Sequence, residues 1–297
     1  MDPFWRSHSM RNLIVGTLLV ATIGCGPKAG GSYEVAASAG DTNAAASIKA
    51  EADALWAERG DKAKLQAALA KYEQAYASDP TDRDIVVKLT RGWYFLGDAH
   101  QSDKQAKLDD WNTAIGWGKK CMALNSDFTA MLEKGDEDEA SAVSVTTADD
   151  IPCMYWMATA LGKWAKLNGI AKSLKHLPTV KAFIGKVSAD APDYYYAAGD
   201  RYWGAYYAVV PSFAGQDLDK SRAHFEKSIA ASPGYLATKV LMAENLAVKK
   251  QDKALYEKLL NEVIAADPNA IPAIAPENII EQAKAKDLLS RADEFFR

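Results

Sequence analysis

Three cysteines, four histidines, eleven prolines and nineteen glycines are few for a chain of 297 residues. The shortage of cysteine and histidine leaves little from which to build a zinc site, since Cys121 and Cys153 have no histidine at ligand spacing. Few helix breakers, much alanine and no sustained alternation of apolar with polar residues argue against sheet and for an all-α fold. A basic surplus is also missing. The formal net charge is −4, so no patch for nucleic acid is indicated. No G-x-S-x-G elbow, Walker loop or dinucleotide fingerprint occurs. His8 lies near the N-terminus; His100, His176 and His224 are far apart and form no H-E-x-x-H pair. His224 and Glu226 are two residues apart on one helix and do not face each other. The chain reads as non-enzymatic, with no cofactor and no metal. The acidic run Lys134–Glu139 offers carboxylates but not the spacing of a calcium loop, and is read as solvated loop.

What is present begins with an address. Arg11 precedes an apolar run from Leu13 to Ile23, ending at Gly24-Cys25. That is a short charged region followed by an h-region too short to remain as a membrane span. Cys25 after a small residue resembles a bacterial lipobox, with Thr22 in place of the usual leucine. Residues 1–24 are therefore read as a lipoprotein-type signal peptide with lipid on Cys25, translation starting at Met1 or Met10. An ordinary signal peptide with an incidental cysteine is the alternative. Gly26 gives no sign of inner-membrane retention, which favours the outer membrane on the periplasmic side. Residues 25–44, rich in Gly, Ala and Ser, read as a flexible tether. Cys121 and Cys153 are the remaining candidates for a disulfide in an exported chain. Both sit on apolar helix faces and are read as buried free thiols.

Residues 45–297 read as one helical-repeat domain. Ala68, Tyr72 and Ala75 before Asp79-Pro80 set out small, large aromatic, small and stop, as in the second helix of a tetratricopeptide repeat. Similar marks recur at Ala114, Gly118 and Cys121; at Val180, Ile184 and Val187; at Ser221, Phe225 and Ser228; and at Tyr256, Leu260 and Val263. Only the last interval, from Pro233 to Pro268, comes near the period of about 34 residues. The array is therefore a degenerate solenoid with an insertion at about 126–150 and a C-terminal capping helix from Pro276.

The densest aromatic stretch is Tyr194–Val210, read as a single helix. Tyr194, Tyr195, Tyr196, Tyr202, Trp203, Tyr206 and Tyr207 go around that helix, so some must line a groove, pore or partner surface. First helices of such hairpins face the concave side. The surface expected to meet a ligand or partner is Arg91, Trp93, Tyr94, Tyr155, Trp156, Trp203, Tyr206, Tyr207 and Asn245.

Asp150-Ile151-Pro152, Tyr155-Trp156, Gly162 and Trp164 resemble a segment of the T component of tripartite ATP-independent periplasmic (TRAP) transporters associated with tetratricopeptide-repeat proteins. The likeness continues through Pro211–Gly215, Lys220–Ser228, Ala243-Glu244-Asn245, Asn278–Ile280 and the Leu288–Phe296 tail, with Arg91-Gly92-Trp93 upstream. Ala214 stands where the family prefers glycine. The resemblance implies an exported lipoprotein that forms a homotrimer around hydrophobic pores and works with the periplasmic solute-binding protein of its transporter. The alternative is a structural envelope lipoprotein that binds proteins through its repeats, with Trp156, Trp203 and Tyr206 buried in seams.

Overall fold

The computed structural model describes residues 32–36, 40–134 and 138–296. Cys25 and the apolar run before it lie outside them. All regular structure among the described residues is helical. The helices are α1 (Thr42–Ala57), α2 (Lys62–Ser78), α3 (Arg83–Ala99), α4 (Lys104–Ala123), α5 (Ser126–Lys134), α6 (Glu139–Ala142), α7 (Ile151–Asn168), α8 (Ile170–Asp190), α9 (Tyr194–Val209) and α10 (Leu218–Ala231). α11 (Ala237–Leu241) then runs through a π-helical segment (Met242–Ala247) into α12 (Val248–Lys250), followed by α13 (Lys253–Ala265) and α14 (Ala275–Ser290).

Aspartate starts many of these helices. Asp61, Asp103 and Asp252 accept the backbone N–H of Lys64, Ala106 and Leu255 at 3.0, 2.8 and 2.9 Å. Each cap satisfies a donor that the first turn leaves open, a contribution of about 1 kcal/mol. Consecutive helices then pack as neighbours, α1 on α2, α3 on α4, α7 on α8 and α9 on α10. Tyr72, Phe225 and Tyr256 are fully buried between them. Close approach depends on residues without a β-carbon: one added at Gly204 would sit 2.7 Å from the Phe225 ring, and one at Gly118 2.6 Å from Met157.

Three expectations need correction. Cys121 and Cys153 are not free thiols. They form a disulfide joining α4 to α7, with Cα atoms 5.5 Å apart. Within the insertion, α5 and α6 fold on either side of the acidic run, and Phe128 and Leu132 are buried. Residues 135–137 of its acidic run lie outside the described residues. Tyr33, in the span read as tether, packs on Phe128 at 5.6 Å between ring centres and donates to Glu139 Oε1.

The third correction concerns α9. Tyr195, Tyr196 and Ala197 all have left-handed backbone, with φ of 42°, 62° and 54°. Each such residue costs about 1–2 kcal/mol with a β-carbon present, so the turn must be held from outside. Arg201 donates to the carbonyls of Tyr195 and Tyr196 at 3.1 and 2.9 Å, and Ser228 Oγ donates to that of Ala197 at 3.2 Å. Every carbonyl of the left-handed turn thus has a side-chain donor.

The last helix also makes long-range contacts. Besides packing on α11 and α13, α14 carries Glu277 back to Arg59, after α1, and Arg91, on α3. The first and last long helices of the described residues are thereby joined.

Candidate functional site

The curling of the chain leaves a cavity of about 750 Å³, within the range of about 300–1,000 Å³ common for small-molecule sites. Its wall comes from α3, the first half of α4, α7, the first half of α8, α9, α11 with the π-helical segment, and α14. Two polar clusters divide it. Arg91 and Asp98 on α3, like Glu277 and Lys284 on α14, are seven residues apart, two helical turns or roughly 10 Å.

At the inner cluster, Glu277 accepts from Arg59 Nε and Nη2 at 2.9 and 2.7 Å and from Arg91 Nη2 at 2.6 Å. Burial pushes its carboxyl up, but the two guanidinium groups outweigh burial and hold it below the ordinary glutamate range. Arg91 also donates to the Tyr195 hydroxyl at 2.8 Å and lies 4.8, 5.1 and 5.3 Å from the ring centres of Tyr195, Trp56 and Trp156. The left-handed turn is what delivers Tyr195 here. Burial pushes its hydroxyl up to about 12, so it stays a neutral donor or acceptor. Arg201, 3% exposed, donates to the Tyr155 hydroxyl at 3.1 Å and sits 4.1 Å over the Tyr235 ring.

At the outer cluster, Lys163 pairs with Asp98 at 2.5 Å and Lys284 with Glu244 at 2.8 Å. Burial pushes the Asp98 carboxyl up, and Lys163 and Lys284 bring it below its ordinary value. Glu281 shares this wall, and there burial outweighs the attraction of Lys284 and Lys163. Its Oε2 is sealed from solvent with no hydrogen-bond partner, and burial raises its carboxyl above the ordinary value. Between the clusters lie Tyr94, Phe95, Thr159 and Tyr202.

Of the residues expected to meet a ligand, Arg91, Tyr94, Tyr155, Trp156, Tyr206 and Asn245 line this cavity. Trp93, Trp203 and Tyr207 are absent from its wall. Trp93 Nε1 donates to Glu73 at 3.2 Å, Trp203 Nε1 to Ser188 at 3.0 Å, and Tyr207 stacks on His224 at 5.7 Å. The helix explains the split on α9. Tyr202, Tyr206 and Val209 share the cavity face, and Trp203 and Tyr207, one residue on, are turned about 100° away. His224 is a partner of Asp200, at 2.8 Å from Nδ1. Sequence reasoning missed Arg201, Glu277, Glu281 and Lys284, which have no motif around them.

Among the described residues no group of three or more His, Cys, Asp or Glu is arranged to hold a metal ion, and no helix is long and apolar enough to cross a membrane.

These features define an all-helical protein wrapped around a partly apolar cavity with polar clusters at two levels. The sequence matches the TRAP transporter T-component family over residues 62–296, and the chain belongs to that family. It is also 24% identical over 175 residues to an uncharacterized protein of Treponema pallidum (strain Nichols), a match covering 57% of this chain. The chain spans about half, 53%, of the length of that relative.

Proposed function

We propose that this chain is a non-catalytic scaffold that docks the periplasmic solute-binding protein of a TRAP transporter and shelters a small, partly apolar ligand in its cavity. The observation that carries this reading is the cavity itself, lined by Tyr94, Tyr155, Trp156, Tyr195, Tyr202 and Tyr206. Rings of this kind bind apolar ligands while their hydroxyls fix orientation. Support for the tetratricopeptide-like arrangement comes from the fully buried plugs Tyr72, Phe225 and Tyr256 and from the cavity walls on first helices α3, α7, α9 and α11. The domain plan is a signal over 1–24, a linking segment over 25–44 and one repeat domain from 45 onward. A lipid on Cys25 anchors it in the envelope facing the periplasm, with the outer membrane favoured, and three copies assemble together. The Cys121–Cys153 disulfide supports an oxidising compartment.

Pull-down with the cognate solute-binding protein, in its liganded and unliganded states, tests the docking. Association in at least one state is expected; none in either would overturn it.

A further inference from the structure

The closure of the cavity leaves one element unexplained, the first half of α8. From Ile170 to Thr179 this helix buries no residue, and it joins the core only at Val180. Between Asp150 and Asp190 the sequence has no acidic residue but carries Lys163, Lys166, Lys172, Lys175, Lys181 and Lys186. Lys163 and Lys186 are paired, with Asp98 and Asp190. Lys166, Lys172, Lys175 and Lys181 are exposed. Ile170, Leu174 and Leu177 recur at helical spacing on one face, while Lys172 and Lys175 lie on another.

Ile170 and Leu174 are 56% and 40% exposed. Across the opening, Val209 on α9 is 43% exposed, and Phe213, two residues beyond Pro211, is 76% exposed. Single exposed apolar residues need no explanation. Here Ile170, Leu174, Val209 and Pro211 all belong to the wall of the same cavity, and lysines flank them. A helix with aliphatic residues on one face, lysines on the other and little net hydrophobicity lies in the headgroup layer of a membrane. A surface of anionic lipid adds attraction of about 1 kcal/mol per lysine, close to a fivefold change in binding.

We infer that the first half of α8, with the facing Val209–Phe213 corner, docks on an anionic bilayer and seats the cavity mouth against the lipid headgroups. An apolar ligand then passes between bilayer and cavity with little exposure to water. This contact is separate from any acyl group on Cys25 and from docking of a solute-binding protein, so it stands or falls apart from both.

The test uses the full chain with Cys25→Ser, to exclude acylation, and Leu174→Cys carrying an NBD fluorophore; Cys121 and Cys153 remain joined. A matched protein carries the fluorophore at Gln66→Cys on α2. Vesicles containing phosphatidylglycerol are expected to blue-shift and brighten the probe at 174, with no change from phosphatidylcholine vesicles and none at 66. Lys172→Glu with Lys175→Glu is expected to weaken the response more than tenfold, as is raised salt to a lesser degree. The apolar run Leu13–Ile23 is common to every variant and cannot produce these differences. No response at 174, an equal response at 66, or a response unchanged by the lysine substitutions would overturn the inference. So would an equal response to soluble polyglutamate, which would assign the surface to an acidic partner instead.

Discussion

The two ends of the cavity use the same kinds of side chain to opposite effect. At the inner end a carboxylate meets two arginines, each hydrogen-bonded and pressed against aromatic rings. At the outer end the pairs Asp98–Lys163 and Glu244–Lys284 leave Glu281 Oε2 without a hydrogen bond, and aliphatic side chains face outward. A buried charge is stable only when paired and hydrogen-bonded. The inner cluster meets that condition and joins residues 218 apart in sequence. The outer cluster meets it in part. The difference separates a fully paired end from a partly paired one.

Breaking the inner end has the largest expected effect. Glu277→Ala leaves Arg59 and Arg91 buried without their carboxylate, and is expected to cost about 3–5 kcal/mol in urea unfolding. Because the Glu277 carboxyl is held below its ordinary value, its contribution is present above the unfolded-state pKa and is lost as pH falls through the folded-state value. The gap between wild type and Glu277→Ala is therefore expected to narrow on acidification. A gap that stays constant down to strongly acidic pH would mean that packing, not charge, joins the first and last long helices.

Replacing both Cys121 and Cys153 by alanine opens a loop with a sequence separation of 32. The expected loss is about 3–4 kcal/mol, read in the same unfolding experiment. It falls on the α4–α7 pair and is expected to leave the cavity able to bind ligand.

Arg201→Met is expected to cost about 2–3 kcal/mol, since the carbonyls of Tyr195 and Tyr196 lose their donors and the left-handed turn loses its support. Hydrogen exchange is expected to rise across residues 194–198 before it rises elsewhere. Uniform exchange along the chain would contradict this account of the turn.

The smallest effect sharpens the comparison by reversing its sign. Glu281→Gln removes a charge whose burial outweighs the attraction of Lys284 and Lys163, and is expected to stabilise the protein at neutral pH by up to about 1 kcal/mol. For a carboxyl raised on folding, the penalty is absent below its unfolded-state value and grows as pH rises through the folded-state value. The gain in melting temperature is therefore expected at pH 7 and not at pH 4. A loss at pH 7 would show that the outer cluster is as well satisfied as the inner one.

The buried positions Tyr72 and Phe225 were legible because each sits in a local pattern of small and large residues ended by proline. Six cavity residues were legible for a related reason: they lie on first helices, and a helix face has a period. Trp93, Trp203 and Tyr207 lie off the cavity wall, because a shift of one residue turns a ring about 100° around the helix. Other features depend on contacts with no local trace. Cys121 and Cys153 meet because α4 and α7, separated in sequence by α5 and α6, pack on each other. Glu277 looks like an ordinary acid in the first turn of a helix until α14 reaches α3. Nothing in three consecutive residues Tyr195, Tyr196 and Ala197 signals positive φ; the cause is Arg201 and Ser228, further along the chain.

The central claim, that the cavity holds a ligand, is tested most directly by titrating the protein with the neutral apolar probe N-phenyl-1-naphthylamine. Wild type is expected to bind it saturably at one site per chain. Ala205→Trp, which fills the cavity from α9, is expected to abolish that binding with helical content unchanged. Saturable binding of equal strength in both proteins, or none in wild type, would contradict the claim.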